Sequence, residues 1–186
     1  MDTGRSGKDV LLKENDAVLL IIDMQEKLVP AVADRERIVE NVIRLARFSR
    51  IAGLPVVLTE QQKLGDTLPQ IREHLEVVEP VSKLTFNCFG TKAFTEKVRA
   101  LNRHTLILAG IEAHICVAQT ALCALPEYGV QVVSDALSSR SPHNREVALR
   151  RMEQAGAVVT STEMVIYEIL ERAGTDLFKA VLKLVK

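Results

Sequence analysis

Three side chains of high intrinsic nucleophilicity stand in this chain: Cys88, Cys116 and Cys123. A small, odd number of cysteines in 186 residues is not a disulfide framework. It reads as free thiols in a reducing, cytoplasmic compartment. Cys116 opens an apolar stretch of helical period just after a strand and the turn Gly110-Ile-Glu-Ala-His-Ile. A helix N-terminus presents unpaired N–H groups and a partial positive charge. Both favour the thiolate, which is the nucleophile, and the same N–H groups can hold an oxyanion. Packing as a small hydrophobe accounts for most free cysteines, and it suits Cys123, about two turns further on, better. Cys88 lies in a loop without an obvious activator.

Asp23 closes the run Ala-Val-Leu-Leu-Ile-Ile, a costly place for a carboxylate unless it is paired or used. A turn or cap is its structural alternative. Lys83 can neutralise Asp23 or depress a thiol pKa; Lys27 is the rival partner. His114 stands two residues before Cys116, and such neighbours on a helix face different sides. That argues against a Cys116–His114 dyad. Glu60 alone is a solvated charge. No CxxC, CxxH or HExxH spacing occurs, so no zinc signature is present. GxGxxG and P-loop sequences are also missing, which argues against a nucleotide-phosphate site. No cofactor is expected.

These residues need a scaffold. Short apolar runs alternate with segments of helical period along the whole chain. Strands are expected at residues 16–23, 55–60, within 75–81, and at 104–109, 130–134 and 157–160. Helices are expected at 35–52, closed by Gly53, at 91–101, 115–125 before Pro126, 142–155 behind Ser141-Pro142, from a capping box at Thr160–Glu163 through Glu171, and from Thr175. Leu68 to His74 reads as a helical turn. Such alternation means parallel strands joined by right-handed crossovers. The fold class is α/β, a three-layer sandwich with a six-stranded parallel sheet. Ligands in such sheets bind beyond the carboxyl ends of the strands, where strand order reverses.

Length sets one domain over residues 1–186, with residues 1–9 as a short flexible tail. Lys+Arg and Asp+Glu both number 24, so net charge is zero. Nucleic-acid binding and polybasic membrane binding both need a cationic surface, so neither is expected. No apolar run reaches the length of a membrane span, and no secretory leader is read at the N-terminus.

Three motifs, in this order and spacing, resemble those of the isochorismatase-like cysteine hydrolases: Leu-Ile-Ile-Asp23-Met-Gln25, Lys83 followed six residues on by Phe89, and Gly110-Ile-Glu-Ala-His-Ile-Cys116-Val. The likeness runs from about Asp16 to the last helix. Thr59-Glu60-Gln61 followed by Leu64-Gly65, and Asp135-Ala-Leu-Ser-Ser-Arg140-Ser, are most similar to the isochorismatase domain-containing subgroup. The resemblance implies strand order 3-2-1-4-5-6 and a catalytic triad of Asp23, Lys83 and Cys116. It also implies a cis peptide at Ile111–Glu112, with an oxyanion hole from the N–H groups of Glu112 and Cys116. Met24, Gln25, Phe86, Phe89, Ile111 and Gln119 are the substrate-binding candidates. The implied partner is a small-molecule amide or related C–N compound, hydrolysed through a Cys116 thioester, and a homo-oligomer is expected. Two rival readings are vinyl ether hydrolysis with Asp23 as acid, and a non-catalytic binding protein of the same fold. Two departures stand out. The nicotinamidase branch binds a metal through an Asp-x-His pair, but this loop reads Glu60-Gln61-Gln62, so no metal is expected. Asn87 also replaces a serine common between the Lys and the Phe.

Overall fold

The computed structural model describes residues 11–75 and 77–184. The expected tail at residues 1–9 lies outside them. Six parallel strands form one sheet: β1 (Ala17–Ile22), β2 (Val56–Gln61), β3 (Val81–Lys83), β4 (Thr105–Ile111), β5 (Gly129–Ser138) and β6 (Val158–Thr160). Their order is β3-β2-β1-β4-β5-β6. The reversal of order therefore falls between β1 and β4, the expected place for a site.

All six residues of β1 are buried, because helices cover both faces of the sheet. Alternate side chains enter opposite cores. Leu19 and Ile21 pack with α1 (Arg35–Ala52), α6 (Thr162–Leu170) and α7 (Asp176–Val181). Val18, Leu20 and Ile22 pack with α3 (Lys92–Ala100), α4 (Ala118–Ala124) and α5 (Pro142–Gln154). The helix α1 has the bounds its periodicity implies, and Gly53 ends it in the left-handed conformation. The Ser141 hydroxyl accepts from the Asn144 N–H, with Pro142 in the first turn of α5. A four-residue α2 (Pro69–Arg72) follows β2.

Four elements differ from expectation, each for a local reason. The third strand lies at Val81–Lys83, at and beyond the end of its expected window, because its last residue is a lysine whose side chain is buried. The fifth strand runs on to Ser138, past Asp135, whose carboxylate accepts from Thr162 N–H and hydroxyl. A polar residue so paired need not end a strand. The start of α6 is capped by Ser161, one residue later than the expected box. The apolar segment after β4 begins as a π turn, Ala113–Val117, before α4 takes over. Both windings bury the same kind of side chain, so hydrophobic period alone does not separate them.

Gly110 sits at the crossing of β4 with β1, paired with Ile22. Its φ is +127°, and a Cβ there would lie 2.0 Å from the Ile22 carbonyl oxygen. No rotamer relieves a backbone clash. Gly110→Ala is therefore expected to lose more than about 4 kcal/mol of stability, read as loss of a cooperative thermal transition. An unshifted melt would contradict this packing.

Candidate active site

Asp23, Lys83 and Cys116 meet at the carboxyl rim of the sheet. Asp23 follows β1 directly and adopts φ +55°, a left-handed conformation that aspartate tolerates better than most residues. Lys83 is the last residue of β3, two strands away from β1. Strands stand about 4.8 Å apart, so the lysine stem must cross the end of β2. It does so under cover, with neither charged side chain reaching solvent. Its Nζ donates to Asp23 Oδ2 at 2.6 Å, to Gln61 Oε1 at 2.8 Å and toward Cys116 Sγ at 3.7 Å. The Thr59 hydroxyl donates to Asp23 Oδ1 at 2.8 Å. Lys27 is not the partner of Asp23; it donates to the Lys63 carbonyl.

The electrostatics follow from burial and this pairing. Burial weighs against the Lys83 ammonium, but the Asp23 carboxylate, then Cys116 and Cys88, outweigh it, and its pKa is raised. Burial pushes the Cys116 thiol up to about 12; Asp23 adds to the rise, through charge and a hydrogen bond, and Lys83 opposes it. The resting sulfur is thus a thiol facing a carboxylate, not the thiolate expected from a helix N-terminus. Desolvation and the neighbouring anion outweigh the partial charge of the turn. Cys116 is 5% exposed while Cys123 is exposed, so a bulky thiol reagent reaches Cys123 first. This reverses the order that an activated thiolate would give. Cys88 is also buried against the site, its thiol pushed up to about 11 by desolvation, with Lys83 opposing.

The Ile111–Glu112 peptide is cis. The Glu112 carboxylate is buried and accepts from Arg140, at Nε (2.6 Å) and backbone N–H (3.1 Å). This ties the loop after β5 to the turn that carries Cys116. His114 Nδ1 lies 3.0 Å from the Ser139 hydroxyl and 3.4 Å from Glu112, so its ring is engaged away from the sulfur. Among the described residues, no three His, Cys, Asp or Glu side chains cluster closely enough to hold a metal ion.

The remaining candidates separate. Met24 is wholly buried, packed in the core on the α1 side. Gln25 is also fully buried, and its amide is spent on backbone: Nε2 donates to the Gln61 and Gly65 carbonyls, and Oε1 accepts from Gln61 N–H. It holds the loop after β2 rather than facing a ligand. Phe86 is 53% exposed, Gln119 is exposed, and Ile111 is buried. Phe89 is half-buried, edge-on to Phe94 at 5.1 Å. Glu60 is not a free surface charge, since it accepts from Thr67 N–H and hydroxyl. Thr59 and Gln61 were not singled out as site residues. Their i, i+2 spacing on a strand hinted at one shared face, but only strand pairing puts that face between Asp23 and Lys83.

Comparison with known proteins agrees with this architecture. The isochorismatase domain matches residues 17–164. Isochorismatase domain-containing protein 2 of Danio rerio is 36% identical over 93% of this chain and 88% of its own length. MAR1 ribonuclease of Caenorhabditis elegans superposes with TM-score 0.89 at 34% identity, covering 94% of this chain and 92% of that one. YcaC of Pseudomonas aeruginosa, solved with hexane-2,5-diol and covalent acrylamide, gives 0.88 at 30% identity, covering 95% and 92%. With the strand order, the switch-point site and the matched domain in agreement, the chain belongs to the isochorismatase-like hydrolase family and, within it, to the isochorismatase domain-containing subgroup.

Proposed function

We propose that this protein is a cysteine hydrolase of small amides or related C–N bonds, with Asp23, Lys83 and Cys116 as its catalytic residues. One observation carries the reading: a single buried ammonium donates to a carboxylate at 2.6 Å and approaches a thiol sulfur at 3.7 Å. In the proposed reaction, Asp23 takes the Cys116 proton as the sulfur attacks the carbonyl carbon. Lys83 offsets the charge that forms on sulfur. The carbonyl oxygen becomes an oxyanion held by the N–H groups of Glu112 and Cys116. Asp23 then returns the proton to the leaving nitrogen as the C–N bond breaks. Water, with Asp23 again as base, hydrolyses the thioester and restores the thiol.

The YcaC relative is described with covalent acrylamide, a reagent that adds to nucleophiles at its vinyl carbon, which supports a reactive nucleophile in a chain of this fold. Vinyl ether hydrolysis would use Asp23 as an acid, yet Lys83 and Thr59 both donate to its oxygens, an arrangement suited to a base. The MAR1 relative is described as a ribonuclease. Here the net charge is zero, whereas polynucleotide binding draws on a cationic surface. Phe86, with Leu84 (68% exposed), leaves an apolar step just past the end of the edge strand β3 that suits contact with a second copy. Among the described residues no helix is long and apolar enough to cross a membrane; we place the protein in the cytoplasm on its free thiols.

The test is direct. Incubation with a panel of small amides, quenched in acid, should add an acyl mass to the intact protein, mapped to the Cys116 peptide. Turnover of any amide without such an adduct, under rapid quench, would refute the thioester route.

A further inference from the structure

We propose that Gln61 is a positioning residue for the Lys83 ammonium: it takes one of the three N–H bonds and so aims another at the Cys116 sulfur. The inference deepens the hydrolase reading and rests on it for its catalytic consequence. Its geometry stands by itself. Lys83 has three donors and three neighbours: Asp23 Oδ2 at 2.6 Å, Gln61 Oε1 at 2.8 Å and Cys116 Sγ at 3.7 Å. Gln61 cannot be turned the other way. Its Nε2 donates to the Leu84 carbonyl, a group that only accepts, so the amide oxygen must face the lysine.

The backbone of Gln61 is fixed in turn. It exchanges two hydrogen bonds with the wholly buried Gln25 amide, one from its N–H at 2.8 Å and one to its carbonyl at 2.9 Å. Gln61 and Lys83 are also register partners in the parallel pairing of β2 with β3. The lysine stem must cross β2 to reach Asp23, and Gln61 is the side chain standing at that crossing. Without an acceptor there, the lysine stem can re-orient and carry the ammonium wholly onto Asp23. The thiol would then lose the nearby positive charge that partly offsets burial and the Asp23 anion.

The experiment measures Cys116 alkylation by acrylamide from pH 7 to 10, in a Cys123→Ser background, with peptide mass spectrometry. Three chains are compared: the parent, Gln61→Met and Gln61→Glu. Both variants surrender the Leu84 bond; Gln61→Met also loses the acceptor that faces Lys83, whereas Gln61→Glu keeps an acceptor and adds a charge. Parent alkylation should rise about tenfold per pH unit, as expected for a thiol titrating near 12. Gln61→Met should be slower by at least about threefold at each pH, and Gln61→Glu by about tenfold, because a second carboxylate at the ammonium screens it from the sulfur. A thermal melt verifies that each chain is folded. Variants that melt lower but alkylate within twofold of the parent would overturn the positioning role and leave a structural one. Alkylation needs no substrate. Failure of every amide to turn over would therefore bear on the hydrolase reading alone, and an unchanged alkylation profile on Gln61 alone.

Discussion

Cys116→Ala should lower turnover of any amide substrate by at least about 10³-fold, in line with loss of a nucleophile that acts as part of a unit. The fold should survive. The side chain is small and buried, and the change removes one sulfur from the α4-side core without exposing a charge. Its expected cost is about 1 kcal/mol. Cys116→Ser sharpens the test, because it keeps the shape and a hydroxyl while removing the more nucleophilic sulfur. It should be nearly as inactive, and it should form no stable adduct with acrylamide. Matched thermal melts separate chemistry from folding. If either variant retained parental rates on a genuine substrate, the sulfur would be a packing atom and the thioester route would fall.

Lys83→Met should cost both stability and activity. The change leaves the Asp23 carboxylate fully buried, with only the Thr59 hydroxyl and the thiol to satisfy it. Removing one partner of a buried ion pair typically costs about 3–5 kcal/mol, because the orphaned charge stays in a poorly solvating place. Urea titration at neutral pH gives the number. The double variant Asp23→Asn/Lys83→Met removes both charges. It should recover much of the loss while remaining inactive, since neither a proton acceptor nor a cation faces the sulfur. A single Lys83→Met chain as stable as the parent would mean that the pair is better solvated than its burial implies. A double variant no more stable than Lys83→Met would place the cost in lost packing of the lysine stem.

Much of the fold was legible because it follows local rules. The run at β1 is apolar on every residue, which only a sheet covered on both faces accommodates. The α1 stripe and the Gly53 stop fixed an 18-residue helix to the residue. Elements failed to be read where tertiary partners override local signals. The extension of β5 depends on Asp135 finding Thr162. The π turn at Cys116 shares its apolar composition with an ordinary helix start.

The site divides the same way. Residue types marked Asp23 and Cys116, because a carboxylate at the end of an apolar strand and a cysteine at the head of an apolar helix are each costly or conspicuous; Lys83 had Lys27 as a rival until the resemblance grouped the three. Linear order determined which groups are available. It did not determine their protonation, since the thiol pKa is set by how much water is excluded and which charge is nearest. Nor did it reveal Thr59 and Gln61, whose meaning arises only when β2 lies between β1 and β3. Hydrophobic period and turn chemistry act over a few residues and can be read along the chain. Partnership of buried polar groups acts through space, across strands that are neighbours only after folding, and the tertiary structure alone decides it.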